Sequence, residues 1–260
     1  DLTLLGAAEL DLLVSVDQPL VNLAARLCDV YPDGTSALMT YGVLNLSHRD
    51  SHEHPAPCPV GAPFRVRLKL NDFARTVPKG HRIRLALANQ HWPILWPQPK
   101  LSTLSVATGD STIVLPVRPP SDRDRDVSFE DAVTADPVPS TVLREGFDSR
   151  VVTDDVGSGV QTIALASDHG QVRYDDRAIT VSSSNHDTMS IRSDDPLSAS
   201  LITEYRWAVE SGEAQTESFA RTELTADETH FSLSWRIEAR ERGKLMHSAS
   251  ATRRIRRDFV

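Results

Sequence analysis

The chain has 260 residues, of which 40% are hydrophobic and 25% charged, and its formal net charge is −8 at pH 7. This is the composition of an ordinary globular protein, so collagen-like, low-complexity and fully disordered chains are excluded. The negative charge argues against general nucleic-acid binding, which needs a basic surface. No apolar run approaches the roughly 20 residues of a transmembrane helix, so we expect no membrane insertion.

The first part of the chain alternates apolar and polar residues. Apolar residues occupy every second position in segments 10–16, 64–70 and 83–87. A period of two is typical of strands that bury one face and expose the other. Turn-forming runs such as Tyr31-Pro32-Asp33-Gly34 and Pro78-Lys79-Gly80 separate these segments. Short strands at this spacing predict a sandwich or a barrel.

The composition changes between Pro119 and Pro139. This stretch is dense in charge and proline and poor in apolar residues, which is typical of a linker or a surface crossing. We therefore predict a first domain at 1–120, a linker at 121–143 and a second domain at 144–260.

The alternation returns in the second half with longer runs. Segments 201–209 and 231–239 each place apolar residues on one face, and 214–224 is a more polar strand between them. Turn residues separate the three segments, which indicates an antiparallel meander. No long stretch has a period of 3.6 residues. We predict an all-β chain with short helical turns at most.

Two features of the chain concern its compartment and extent. Cys28 and Cys58 are too few for a disulfide framework, so we interpret them as small buried residues, with one bridge between them as the alternative. Reduced cysteines favour a cytoplasmic location. The chain opens with Asp1-Leu2-Thr3, with neither a methionine nor a signal segment, so we expect it to be a piece of a longer protein.

Motifs for nucleophilic or phosphate chemistry are missing from the sequence. The segments 34–38 and 109–113 begin Gly-x-Ser, as a nucleophile elbow does, but neither has the closing glycine or a following helical pattern. Neither a dinucleotide loop nor a phosphate-binding Gly-Lys-Ser/Thr motif occurs. We predict no catalytic residue in this chain and no cofactor.

One histidine cluster is a candidate site. His48, His52 and His54 lie close together in the sequence, with Glu53 among them. Zinc or nickel binding is one interpretation, but His52 and His54 lack an obvious third strong ligand. The favoured interpretation is a polar loop that leads into a proline-rich stretch, without a metal.

Trp92 and Trp96 form the second candidate site. They lie in a segment stiffened by three prolines, which cannot belong to a central strand. The tryptophans line a pocket or contact a partner domain in one interpretation. In the other they form a hydrophobic plug over the end of a sandwich.

Charged clusters near the C-terminus favour structural roles. The run 253–257 has four arginines and is interpreted as an edge strand whose charge opposes aggregation, with a nucleic-acid patch as the alternative. Adjacent aspartates at 154–155, 175–176 and 194–195 are interpreted as turn residues rather than an acid–base pair.

The order of these features resembles a known family over residues 1–118. Besides the strand at 10–16, the resemblance lies in the segments 23–34, 42–49, 59–61, 79–85, 92–97 and 115–117. Together they resemble the C-terminal non-catalytic domain of the X-Pro dipeptidyl-peptidase and cocaine-esterase family of serine hydrolases. The segments 190–199 and 255–258 are similar to the tail of bacterial acyl-hydrolase members.

The resemblance implies both a fold and a role. The fold would be a galactose-binding-like jelly-roll sandwich, followed here by a second antiparallel β unit. The partner would be an upstream α/β-hydrolase domain of the same polypeptide, with a Ser-Asp-His triad that no position here matches. The β-domain would pack on that domain and help to wall its substrate cleft, and the parent would cleave ester, amide or peptide bonds.

On this basis we predict that His48, His52, His54, Trp92 and Trp96 line the substrate cleft or the domain interface. A carbohydrate-binding module, with sugars on the tryptophan segment, is one alternative. The other is a structural or oligomerisation domain in which the second β unit pairs across a two-fold axis.

Overall fold

The computed structural model describes residues 1–260, the side chain of Asp124 excepted. Two compact units make up the chain: Asp1–Asp131 with Phe259–Val260, and Ala132–Asp258. Across the described residues the chain consists of β-strands and three short 3-10 turns, which confirms the all-β prediction. None of the described helices has the length and apolar character needed to cross a membrane.

The first unit contains nine strands in antiparallel sheets. They are β1 (Leu2–Gly6), β2 (Glu9–Val16), β3 (Asn22–Val30), β4 (Ser36–Asn45), β5 (Phe64–Lys69), β6 (Phe73–Val77), β7 (Arg82–Ala88), β8 (Leu104–Val106) and β9 (Thr112–Val114), with 3-10 turns at Leu46–His48, Thr108–Asp110 and Asp122–Arg125. One sheet has the order β5-β2-β8, with β9 also beside β2, and the second has the order β4-β3-β7. The strands β1 and β6 form a separate pair.

The two larger sheets share one core. From β2, the alternate residues Leu10, Leu12, Val14 and Val16 are all buried, as the sequence pattern predicts. From β3 in the facing sheet, Leu23, Ala25 and Leu27 join the same cluster, with Val66 and Leu68 from β5. The first unit is therefore an antiparallel β-sandwich with a single hydrophobic core.

The second unit is one eight-stranded sheet. Its strands are β10 (Ser140–Arg144), β11 (Phe147–Asp155), β12 (Val160–Tyr174), β13 (Ile179–Arg192), β14 (Asp195–Ser211), β15 (Ala214–Ala226), β16 (His230–Glu241) and β17 (Lys244–Arg256). From β12 to β17 each strand pairs with the next in antiparallel fashion, so the predicted meander is confirmed. The strand β10 begins at Ser140, inside the segment 121–143 that the composition predicts to be a linker.

Two glycines form a close crossing at one edge of this sheet. Both β10 and β11 pair with β12, one after the other along its length. Between them, a Cβ atom on Gly146 would collide with the carbonyl oxygen of Asp168, and a Cβ on Gly170 with that of Arg144. The register of β12 shifts between Asp168 and Gln171, and an ion pair of 2.9 Å joins Arg144 Nη2 to Asp168 Oδ1 at this bulge. Only glycine fits at these two positions.

The opposite edge of the sheet is basic. The strand β17 pairs with β16 alone among the described strands, so the prediction that the arginine-rich end is an edge strand is confirmed. The turn before β16 is held by Asp227, whose carboxylate accepts hydrogen bonds of 2.7 Å from the backbone N–H groups of Thr229 and His230. These bonds, with one from Arg254, hold the pKa of Asp227 far below its usual range.

Candidate functional site

The predicted site residues lie in two long loops attached to one short connection. The His loop (residues 46–63) joins β4 to β5, and the Trp loop (residues 89–103) joins β7 to β8. The connection is 17–21, between β2 and β3. We call the end of the first unit formed by these three segments the loop end.

Backbone hydrogen bonds hold the His loop on this connection. The N–H of Leu46 donates to the carbonyl of Val21 at 2.9 Å, and the N–H of Cys58 donates to the carbonyl of Pro19 at 2.8 Å. Further along, the N–H of Gly61 donates to the carbonyl of Val16 at 2.9 Å. The His loop is therefore attached to its neighbours near both of its ends, and these bonds do not involve its middle part.

The guanidinium of Arg49 stabilises the His loop from within. Its Nη1 donates to the carbonyl oxygens of Leu46 and Ala56, at 3.1 Å each, and of Pro57, at 3.3 Å. It also lies over the ring of Phe64, 5.3 Å from the centroid. Because the loop is rich in proline and has few backbone donors, one planar group with several N–H donors replaces a regular ladder.

The three histidines of this loop stand at the surface. The rings of His48 and His52 are 5.5 Å apart, centroid to centroid. The side chain of His54 is 82% exposed, and its only described neighbour of opposite charge is Glu53, 4.0 Å away. Within the described part of the chain, no group of three or more metal-ligating residues comes together. The histidines present an exposed polar surface.

A buried amide pair anchors the Trp loop. The Nδ2 of Asn22, at the start of β3, donates to the carbonyl of Trp96 at 3.2 Å, and its Oδ1 accepts from Nε2 of Gln98 at 3.0 Å. Asn22 and Gln98 are only 5% and 6% exposed. At the end of the loop, the N–H of Thr103 donates to the Asp17 carboxylate at 2.7 Å, and this bond lowers the pKa of Asp17.

The two tryptophans pack on each other. Their rings meet edge to face, with centroids 5.5 Å apart and an interplanar angle of 71°. The Trp92–Pro93 peptide bond is cis. The indole Nε1 of Trp92 is buried without a hydrogen-bond partner in the described residues. The two tryptophans thus form a rigid, partly buried aromatic pair at the loop end.

Three exposed aliphatic side chains lie in the same two loops, and the sequence analysis did not identify them. They are Val60 at 54%, Ile94 at 55% and Leu101 at 50% exposure. The first lies in the His loop and the other two in the Trp loop. No periodic pattern marks such residues in loops, so the only signal was their presence among prolines. The two loops therefore carry exposed apolar side chains as well as the histidines.

A second polar cluster lies away from the loops. Asp29, fully buried on β3, accepts hydrogen bonds from Arg75 at 2.9 Å and pairs with His81 Nδ1 at 2.7 Å. Burial acts to raise the pKa of Asp29, but the bonds from Arg75 and His81 outweigh it, so the pKa is lowered. The Asp–His pair has the geometry of an orienting pair in a triad, but the described contacts give His81 no hydroxyl or thiol to activate. The cluster ties β6 to β3.

The two Gly-x-Ser segments have structural roles. The hydroxyl of Ser111 accepts from the N–H of Leu13 at 3.0 Å and donates to the carbonyl of Ala107 at 2.8 Å, so its lone pair and proton are both engaged. Ser36 is the first residue of β4. Both cysteines, Cys28 and Cys58, are free thiols, and burial raises the pKa of Cys58.

The first half of the chain matches a known protein family. Residues 1–129 match the family model of the X-Pro dipeptidyl-peptidase C-terminal non-catalytic domain. No curated protein is significantly similar to the chain.

Two solved structures are similar to part of the chain. One is an α-amino acid ester hydrolase, with 21% identity and a TM-score of 0.42. The other is an aminopeptidase from a marine sediment archaeon, Thaumarchaeota archaeon, with 16% identity and a TM-score of 0.43. Each match covers 45% of this chain and 24% of the other, so the matched region spans about a quarter of the length of those proteins.

Proposed function

We propose, on the premise that residues 1–129 belong to the X-Pro dipeptidyl-peptidase C-terminal non-catalytic domain family, that this chain is the accessory part of a serine hydrolase. Its first unit docks on an α/β-hydrolase domain of the same polypeptide. That domain carries the nucleophile and its triad, and cleaves ester, amide or peptide bonds through an acyl-enzyme. The two free thiols favour a reducing compartment such as the cytoplasm.

The loop end is the docking surface in this proposal, and one observation carries it. Two loops that are far apart in the sequence are both bonded to the connection 17–21 or to Asn22 next to it, and both carry large exposed apolar side chains. Elsewhere in the sandwich, the strands supply stability through a closed core. Loops on a rigid scaffold are where interaction residues concentrate.

The first unit contributes to catalysis by positioning the substrate and by excluding water from the cleft. An apolar wall with Trp92 and Trp96 at its edge excludes water from a neighbouring cleft and limits how an acyl group enters. The half-buried His48 and the exposed His52 and His54 form the polar rim of that wall. None of these residues needs to move a proton in this role.

The test uses the full-length protein that carries this chain. Ile94→Asp and Trp96→Ala should lower kcat/KM for ester or peptide substrates and loosen the domain contact, because both remove apolar surface from the docking face. Leu38→Asp is the matched control, since Leu38 is equally exposed at 56% but lies on β4. Unchanged kinetics and unchanged stability in both test variants would discard the proposal.

A further inference from the structure

The central strands of the second unit have one face with few charged side chains. In β14 to β16 the cross-strand register places the alternate residues of 201–209, 216–224 and 231–239 on the same side of the sheet. None of these positions is an Asp, Glu, Lys, Arg or His. On β13, Asp187 lies on this face, and its carboxylate accepts hydrogen bonds from Asn185 and Thr203 at 2.8 and 2.7 Å. At the other side of the face, Arg253 and His247 of β17 lie opposite Leu233 and Ala239, and Glu241 lies opposite Thr216. We call this surface the neutral face.

The opposite face of the same strands is strongly charged. Arg221 pairs with Glu204 at 3.4 Å and with Glu223 at 3.0 Å. Nearby, the Arg206 and Arg236 guanidiniums lie over the ring of Phe219, at 4.5 and 5.5 Å from the centroid. On this face the charged side chains pair with one another or lie over an aromatic ring. Such a face suits contact with water. The asymmetry marks the neutral face as the one that needs a second layer.

Part of the neutral face is open. Tyr205, Trp207 and Ile237 are 40%, 43% and 41% exposed, whereas Met189 on the same face is buried. The open part spans the five strands β13 to β17, which gives it a width of about 24 Å. Its length along the strands is about 20 Å. Two such surfaces in contact cover about 1,000 Å², which is near the lower limit for a specific protein interface.

Side-chain volume on the open part alternates between large and small. Across the strands one row reads Asn185, Tyr205, Ala220, Ile237 and Ala249. The next row sets Trp207 between Ser183 and Ser218. When two copies of such a surface meet, the large side chains of one fit over the small ones of the other. The small number of charges also matters, because two copies of a face crowded with charges of one sign would repel each other.

We propose that the neutral face is a homodimer interface, on which a second copy of this chain packs sheet against sheet about a two-fold axis. The occupant is a second copy because the surface carries few charges, and these of both signs, alternates in side-chain volume and has the area that a weak dimer requires. The expected dissociation constant is in the micromolar range, given the small area. The inference does not depend on the docking role of the first unit.

Sedimentation velocity of the 260-residue chain across a wide concentration range tests this proposal. We expect a monomer of 28.7 kDa at low concentration and a species of twice that mass as the concentration rises. Trp207→Ser and Ile237→Lys should each weaken the dimer about tenfold or more. Glu210→Ser, an exposed change on the charged face, should leave the dimer intact.

A footprint on the unmodified chain removes any dependence on variant folding. Hydroxyl-radical labelling of the peptide containing Tyr205 and Trp207 should fall as the dimer forms, while labelling around Leu38 stays constant. A chain that stays monomeric at high concentration overturns the proposal. So does a dimer whose formation leaves Trp207 labelling unchanged, because its interface then lies elsewhere, for instance at the β17 edge.

Discussion

Replacing Asn22 with alanine tests how the Trp loop is held. The side chain of Asn22 donates to the carbonyl of Trp96 and accepts from the amide of Gln98. No other described hydrogen bond engages the Gln98 side chain, and its Oε1 already lacks a partner. Asn22→Ala therefore leaves a buried amide with no bond and frees the loop that carries the tryptophan pair.

The size of the effect follows from these two bonds. A buried amide that loses its partner costs about 1–3 kcal/mol, and a lost bond to a carbonyl costs about 0.5–1.5 kcal/mol. We therefore expect Asn22→Ala to lower the free energy of unfolding of the first unit by about 2–4 kcal/mol. With a urea slope typical of a small domain, the unfolding midpoint moves down by about 1–3 M.

Urea unfolding followed by tryptophan fluorescence and far-UV circular dichroism measures this shift. Asn71→Ala is the control, because Asn71 is exposed and its side chain makes no described hydrogen bond, so its effect should stay within about 0.5 kcal/mol. If Asn22→Ala unfolds at the same midpoint as Asn71→Ala, the anchoring role of Asn22 is wrong.

Other variants test the core, the buried charge and the glycine crossing. Leu27→Ala removes a side chain that is 0% exposed in the shared core and should destabilise the first unit by about 2–5 kcal/mol in the same urea assay; a loss below about 1 kcal/mol would contradict the single core. The lowered pKa of Asp29 means that its stabilising effect is present above about pH 4 and is lost as the pH falls through its folded-state value. Unfolding midpoints from pH 7 to pH 3 should therefore fall more steeply in the wild type than in Asp29→Asn, and equal slopes would refute the role of Asp29. Gly170→Ala, at a φ of +73° against a carbonyl oxygen, should destabilise the second unit and raise hydrogen exchange in β10 and β12. Gly212→Ala, at a φ of +57° but with no atom within 4 Å, should destabilise the unit less and leave exchange in β10 and β12 unchanged.

The sequence predicted the parts of the fold where burial repeats every two residues. The pattern at 10–16 and at 231–239 reports directly on which face is buried, so β2 and β16 were recognised. The strand β13 was not, because the stretch from Thr180 to Thr188 is mostly polar and carries little periodic signal. Its extended form comes from hydrogen bonds to β12 and β14 on both sides, which is a tertiary effect.

The sequence marks the two loops of the candidate site, whose role as a cleft wall or domain interface stays a prediction. Unusual composition marks the histidine and tryptophan stretches, and the structure attaches both loops to the connection 17–21 or to Asn22 next to it. The anchoring role of Asn22 had no signal in the sequence, because it depends on a contact with a residue 76 positions away. The exposed Ile94 and Leu101 were likewise missed, since exposure in an irregular loop has no period.

The central claim is that this chain supports hydrolysis without performing it. Its most direct test is hydrolysis of ester and X-Pro peptide substrates by the purified 260-residue chain, beside the full-length protein, together with labelling by a serine-reactive fluorophosphonate. The account predicts turnover and labelling in the full-length protein and neither in this chain alone. Saturable hydrolysis by the isolated chain, abolished by Ser36→Ala or Ser111→Ala, would contradict it.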